Sequence, residues 1–125
     1  MKSFLGTYER KFDEKSRLFI PPSLADKLGS SLYIVPCALG ILPYLSMYRS
    51  KTELQHDTGT QLMIRRLVKD YSMSRITVPL EIRAKSGLTE NDCVMIGARN
   101  RIEVWGHPHY ERMMERAPNI RDLIC

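Results

Sequence analysis

A chain of 125 residues with 43% hydrophobic and 26% charged content has the size and balance of one soluble globular domain, and no apolar run approaches the roughly 18 to 20 residues of a membrane span. The opening stretch MKSFLGTYERK is too briefly apolar for a signal peptide, so a cytoplasmic protein is expected. Nineteen Lys and Arg against fourteen Asp and Glu leave a net charge of +5, which raises nucleic acid as a partner but carries weight only where the fold gathers the charges.

In chain order, Thr7 to Phe12 reads as a strand, the polar cluster Asp13, Glu14, Lys15, Ser16 as a turn, and Arg17 to Ile20 as the returning strand of a hairpin. Pro21 and Pro22 end that strand. Pro22 suits the first position of a helix, Leu24 and Leu28 share a face at i,i+4, and Gly29 supplies a stop. Leu32 to Val35 and Ile41 to Leu45 form a further pair of strands around Gly40, with Pro43 confined to an edge or irregular position. The segment 47–68 is more polar and reads as a connector of two helical pieces broken at Thr58–Gly59–Thr60.

The order then repeats. A strand from Lys69 and a turn at Tyr71 to Ser74 precede the strand Arg75 to Val78, a helix over Leu80 to Ser86 and a stop at Gly87. SRLFIPPSLADKLG at 16–29 matches SRITVPLEIRAKSG at 74–87 with a constant offset: 75 − 17, 79 − 21, 85 − 27 and 87 − 29 each give 58. Cys93 to Ile96 and Arg101 to Trp105 make the last hairpin around Gly97–Ala98–Arg99–Asn100, matched to the first at an offset of 61, with Trp105 set against Tyr44. Pro108 to Arg116 suits a closing helix. The organisation expected is a first repeat at 1–46, a helical connector at 47–68, a second repeat at 69–116 and a tail at 117–125. Repeats of roughly 50 to 60 residues bury little surface alone, so they are expected to share a core with each other or with neighbouring chains.

DEKSRLFIPPSLADKLG at 13–29, SRITVPLEIRAKSGL at 74–88 and IGARNRIEVW at 96–105 resemble the MraZ family, bacterial regulators with two tandem SpoVT-AbrB type repeats. The likeness spans Gly6 to about Arg112. It implies an α+β, mainly β fold of two tandem swapped-hairpin (AbrB-like) β-barrel repeats with short helices. It also implies a sequence-specific DNA-binding transcriptional regulator of the cell-division and cell-wall gene cluster. Such a protein binds double-stranded DNA at promoter repeats, associates with the nucleoid, and assembles as a homo-oligomer, in this family a ring. In the family each repeat carries a D-x-x-x-R turn facing DNA. The first copy has it as Asp13 to Arg17. In the second, Tyr71 lies four residues before Arg75, with Asp70 one step earlier and Met73 in place of a lysine matching Lys15.

The side-chain chemistry of the turn is independent of the resemblance. A turn between antiparallel strands projects its side chains, and a β-ribbon is narrow enough for the major groove. Arginine's planar fork donates twice to guanine, which makes Arg17 a base reader; lysine is a point charge, which gives Lys15 a mixed role toward phosphate and base. Asp13 accepts backbone N–H bonds and orients Arg17. Arg75 is the counterpart of Arg17, and Arg10 and Lys11 add phosphate contacts.

Other groups receive plainer readings. Arg65, Arg66 and Lys69 read as a solvated helix face, and Arg99 and Arg101 as surface charge or a subunit contact. His107 and His109 lack further ligands at metal-binding spacing, so no metal is expected. Cys37, Cys93 and Cys125 share no CxxC spacing and read as reduced thiols. Neither a nucleophile elbow nor a glycine-rich phosphate loop is present, so neither an enzyme nor a small-molecule substrate or cofactor is expected. Two other functions fit a fold of this type: an antitoxin-like interaction protein and a structural ring without DNA affinity. The tail ERAPNIRDLIC, neither strongly acidic nor compositionally disordered, disfavours the first of these.

Overall fold

The computed structural model describes residues 4–29, 31–58, 64–68 and 74–116. Eight strands and four helices follow in the order β1 (Thr7–Lys11), β2 (Arg17–Phe19), α1 (Pro22–Leu28), β3 (Ser31–Leu39), β4 (Leu42–Tyr48), α2 (Lys51–Thr58), β5 (Arg65–Val68), β6 (Arg75–Thr77), α3 (Leu80–Lys85), β7 (Asp92–Ala98), β8 (Arg101–Gly106) and α4 (His107–Arg116). The fold is α+β and mainly β. Six strands form one antiparallel sheet in the order β1-β7-β8-β4-β3-β5, and β2 pairs with β6 in a separate two-stranded ribbon.

The strand order is palindromic under exchange of the two repeats. Replacing β1, β3 and β4 with β5, β7 and β8 reverses it without altering it, so the pairings β1–β7 and β3–β5 are equivalent crossings from one repeat to the other. The ribbon is another crossing, with Arg17 opposite Thr77, Leu18 opposite Ile76 and Phe19 opposite Arg75. It is extended at both ends by equivalent bonds, Ile20 N–H to Ser74 O and Val78 N–H to Ser16 O, each 3.0 Å. The repeats are therefore swapped into each other, and together they make one β-module.

This corrects the simple hairpin expected for residues 7–20. The turn forms, but β1 and β2 then diverge, one to β7 in the sheet and the other to β6 in the ribbon. Local alternation shows that a segment is a strand and is silent on its partner, which is chosen by the core. That core fills the space between the ribbon and one sheet face. Leu18, Ile20, Leu24 and Leu28 from the first repeat meet Ile76, Val78, Ile82 and Leu88 from the second, over Leu32, Ile34, Leu45, Met47, Cys93, Met95, Ile102 and Val104 of the sheet. Each such aliphatic side chain contributes roughly 1.5–3 kcal/mol when buried, and half of these contacts vanish if either repeat is taken away.

The helices divide between the faces. α1 and α3 join the main core through Leu24, Ala25, Leu28 and Ile82. Both begin after a proline whose carbonyl accepts the first turn's N–H groups: Pro21 from Leu24 and Ala25, and Pro79 from Ile82 and Arg83. On the other sheet face Leu54 of α2 packs with Val35 and Tyr48, while Met113 of α4 packs with Val94, Ile96 and Trp105. Gly87, which follows the α3 end with φ +69°, lies so close to Pro43 and His109 that a Cβ would sit 2.6 Å from the proline ring. Glycine is required there by both conformation and space.

Two further expectations change, and a third, for Pro43, holds. The second helical piece of the connector is strand β5 over its described part, because Arg65–Val68 complete the sheet edge beside β3. The single offset of 61 for the hairpins fails. It holds for the starts of β7 and β3 (92 − 31 = 61), but Trp105 faces Val94 whereas Tyr44 faces Cys37. Tyr48, which faces Tyr33, occupies the place matching Trp105, and β3–β4 runs two pairs further toward its tip. Finally, β4 is an inner strand, yet its pairing with β8 begins only at Leu45. Pro43 lies beyond that point, where β3 is the neighbour, so no second ladder loses a donor.

Candidate nucleic-acid interface

The first turn is organised around one carboxylate. Asp13 Oδ1 accepts the backbone N–H groups of Lys15 and Arg17, each at 2.9 Å. Its Oδ2 accepts Arg17 Nε–H at 2.7 Å. The backbone closes the loop with Asp13 N–H to Arg17 O and Ser16 N–H to Asp13 O, both 3.0 Å. An Asp can do this because its short side chain reaches the N–H groups two and four residues on. The Asp13 carboxyl is held below its ordinary value of 3.8, chiefly by the Arg17 backbone N–H, with the Arg17 side chain and the Lys15 N–H assisting.

Ser16 occupies the left-handed region at φ 59° and Ser74, its counterpart 58 residues on, does the same at φ 51°. The Ser16 hydroxyl accepts Arg83 Nη1–H at 2.8 Å. Arg83 is 7% exposed; it also donates to Leu88 O at 3.0 Å and Glu90 O at 3.2 Å, and its guanidinium lies 4.0 Å from the Phe12 ring centroid. Burial lowers its pKa below the ordinary arginine value. A cation from α3 thus ties down the first turn from beneath, a contact that exists because the swap brings the second repeat's helix under the first repeat's turn. Subtracting the repeat offset places Arg83 on Ala25 (83 − 58 = 25), a core-facing helical position; that alignment was the available signal that this arginine is buried.

Side chains alternate along a strand and paired residues share a face. Arg17, Phe19, Arg75 and Thr77 therefore stand on the outer face of the ribbon, while Leu18 and Ile76 point into the core and are buried. Arg17 and Arg75 are diagonal neighbours, roughly 7–8 Å apart at the backbone. Lys15 is exposed at the turn tip. Arg10 and Lys11 project to opposite faces of β1: Arg10 folds over the Tyr8 ring at 5.6 Å, and Lys11 forms an exposed 3.4 Å pair with Asp92. The structure thus gathers Asp13, Lys15, Arg17 and Arg75, and it separates Arg10 from Lys11. Lys69, Asp70, Tyr71, Ser72 and Met73 lie outside the described residues; five residues separate β1 from β2 and six separate β5 from β6.

Several other charged and titratable groups sit elsewhere. Arg65 and Arg66 are on a strand, and Arg65 pairs with Glu81. Arg101 is an inward partner of Glu103, Nη2 to Oε2 2.9 Å, and the Trp105 indole N–H also donates to Glu103 at 3.0 Å. Glu103, 2% exposed, is a buried carboxylate the sequence pattern did not single out. His107 contacts Glu9 and Glu111, and among the described residues no group of three or more His, Cys, Asp or Glu is arranged to hold a metal ion. Cys37 and Cys93 carry free thiols, and burial pushes Cys93 up to about 12. Among the described residues no helix is long and apolar enough to cross a membrane.

No protein-family model matches the chain. Its sequence is 31% identical over 116 residues to a transcriptional regulator MraZ of Thermobifida fusca, covering 82% of this chain and 80% of that protein. It is 29% identical over 126 residues to the protein of the same name from Frankia alni, with 90% and 87% covered. It is 27% identical over 136 residues to that of Pediococcus pentosaceus, with 98% and 94% covered. Similarity of this extent, running through both repeats and the ribbon that joins them, shows that the chain belongs to the MraZ family of transcriptional regulators.

Proposed function

We propose that the protein is a sequence-specific DNA-binding regulator that reads promoter repeats of the cell-division and cell-wall gene cluster through Arg17 and Arg75. The observation that carries this reading is the placement of both arginines on one outer face of the β2–β6 ribbon, with Arg17 held by the Asp13 carboxylate. A ribbon of this width enters a major groove, and an oriented guanidinium donates two hydrogen bonds to guanine O6 and N7. Lys15 adds a contact at the turn tip; Arg10 and Lys11 meet phosphates on either side of β1. The protein works in the cytoplasm on nucleoid DNA, without enzymatic activity or cofactor, as a homo-oligomeric ring whose several modules engage repeated half-sites together.

We divide the chain into repeats at 1–46 and 69–116, joined by 47–68 and followed by the tail 117–125. β5, at the end of that connector, holds beside β3 the place that β1 holds beside β7, so we move the start of the second repeat from 69 to Arg65 and end the connector at 64. Fluorescence anisotropy with labelled DNA from upstream of the protein's own gene tests the function. A saturable complex is expected that unlabelled promoter DNA displaces and scrambled DNA does not, with log affinity falling by about 0.9 per phosphate contact for each tenfold rise in salt. Equal competition by scrambled DNA overturns the reading.

A further inference from the structure

On the outer ribbon face the two arginines meet different cross-strand partners. Arg17 stands opposite Thr77, whereas Arg75 stands opposite Phe19. The Arg75 guanidinium carbon lies 5.5 Å from the Phe19 ring centroid, inside the roughly 6 Å range over which a ring quadrupole attracts a cation. Phe19 keeps 40% of its surface exposed and lies outside the core, which is filled from the opposite ribbon face by Leu18 and Ile76. The ring belongs to the first repeat and the cation to the second; their meeting is a product of the swapped pairing.

We propose that Phe19 is a positioning residue of the interface, seating the Arg75 guanidinium as the Asp13 carboxylate seats that of Arg17. The proposal rests on the reading that Arg75 meets DNA. The two devices differ in kind. A carboxylate accepts N–H bonds in the guanidinium plane, as Asp13 does from Arg17 Nε, whereas a ring face attracts the cation through its quadrupole and accepts no in-plane N–H bond.

The test uses the full chain and the promoter fragment, with each guanine replaced in turn by 7-deazaguanine, which lacks the N7 acceptor. Phe19→Leu keeps an apolar side chain and removes the ring. It is expected to bind about two- to fivefold more weakly, with the loss at the same guanine whose replacement loses its effect in Arg75→Ala. Phe19→Tyr restores the ring and is expected to return to within twofold of the parent. In the Arg75→Ala background Phe19→Leu costs nothing further. In the free protein, the ring-current shift of the Arg75 side-chain protons disappears in Phe19→Leu and persists in Phe19→Tyr. A complex indifferent to Phe19→Leu, or one equally weakened by it with Arg75 already absent, overturns the inference and leaves the function standing. Failure of the parent protein to form any specific promoter complex overturns both.

Discussion

The first turn and the start of β6 share a backbone plan and differ in what supports it. Ser16 and Ser74 both adopt positive φ, and their carbonyls accept equivalent N–H groups from Val78 and Ile20. Beneath the first turn lies Arg83; at the matching place in α1 stands Ala25, a core side chain. Beside Arg17 lies a carboxylate, and beside Arg75 a phenyl ring. A duplicated fold retains what the backbone and core require, since both halves must close on the same sheet. The residues packed beneath Ser16 and against each arginine are under no such constraint, and Arg83 against Ala25 and Asp13 beside Arg17 against Phe19 beside Arg75 are different groups.

Removing Arg83 should break this comparison most severely. Arg83→Met keeps the length and apolar body but leaves Ser16 Oγ, Leu88 O and Glu90 O without their donor. Each buried acceptor left unsatisfied costs about 1–3 kcal/mol, not additively, so a loss of about 3 kcal/mol and a fall in Tm of about 10 °C are expected by calorimetry. Ala25→Gly at the matching position should cost about 1 kcal/mol from helix propensity alone. Equal effects of the two changes would mean that Arg83 is no brace.

Arg17→Ala should have the largest effect on binding in a folded protein. A bidentate contact to guanine is worth about 1–3 kcal/mol of discrimination, or about five- to 150-fold per half-site in anisotropy titrations. Arg112→Ala, an exposed charge on the helix packed against the other sheet face, should change affinity less than twofold. Arg101 is an unsuitable control, because its removal strands the buried Glu103 carboxylate and acts through stability. If Arg17→Ala and Arg112→Ala bind alike, the ribbon face is not the reading surface.

Asp13→Asn sharpens the comparison at smaller scale. The amide oxygen can still accept the Lys15 and Arg17 backbone bonds, but the pair with the Arg17 guanidinium loses its charge. With both side chains 31% exposed, solvent screening keeps the loss small, about a few-fold in affinity. A double-mutant cycle with Arg17→Ala should show strong coupling, because Asp13 acts through that arginine. Additive losses would show that Asp13 contributes independently.

Much of this architecture can be read from the residues. The 58-residue offset, the proline-led helices and the Asp13–Arg17 spacing are local patterns, and each is written within a few turns of chain. The partners of β1, β2 and β5 are not, because alternation fixes a strand's faces and leaves the choice of neighbour to a core assembled from positions more than 50 residues apart. The segment 64–68 looks helical by spacing and becomes a strand because β3 presents an open edge. Arg83, Glu103 and Phe19 are polar or exposed against expectation for the same reason: each answers to a group on a distant element or, for Glu103, to a charge brought inward by the strand's alternation.

Acid provides the finest test of the difference between the two seats. The Asp13 carboxyl lies below 3.8 in the folded turn, chiefly through the Arg17 backbone N–H. A depressed folded value means that the contribution is present above the unfolded value and is lost as pH falls through the folded one. The turn should therefore hold as pH drops through 3.8 and open only below it. The Phe19 ring beside Arg75 does not itself titrate. Two-dimensional NMR following the Arg17 and Arg75 Nε–H signals should show the Arg17 resonance shifting at a pH below 3.8 while that of Arg75 stays in place until the whole protein unfolds. If both signals move together, one global transition governs the two sites and the carboxylate is not an independent hinge of the first turn. If Arg17 moves at or above 3.8, the backbone bonds to Asp13 do not favour the charged form, and the seat of the first arginine is made by the β-ribbon alone.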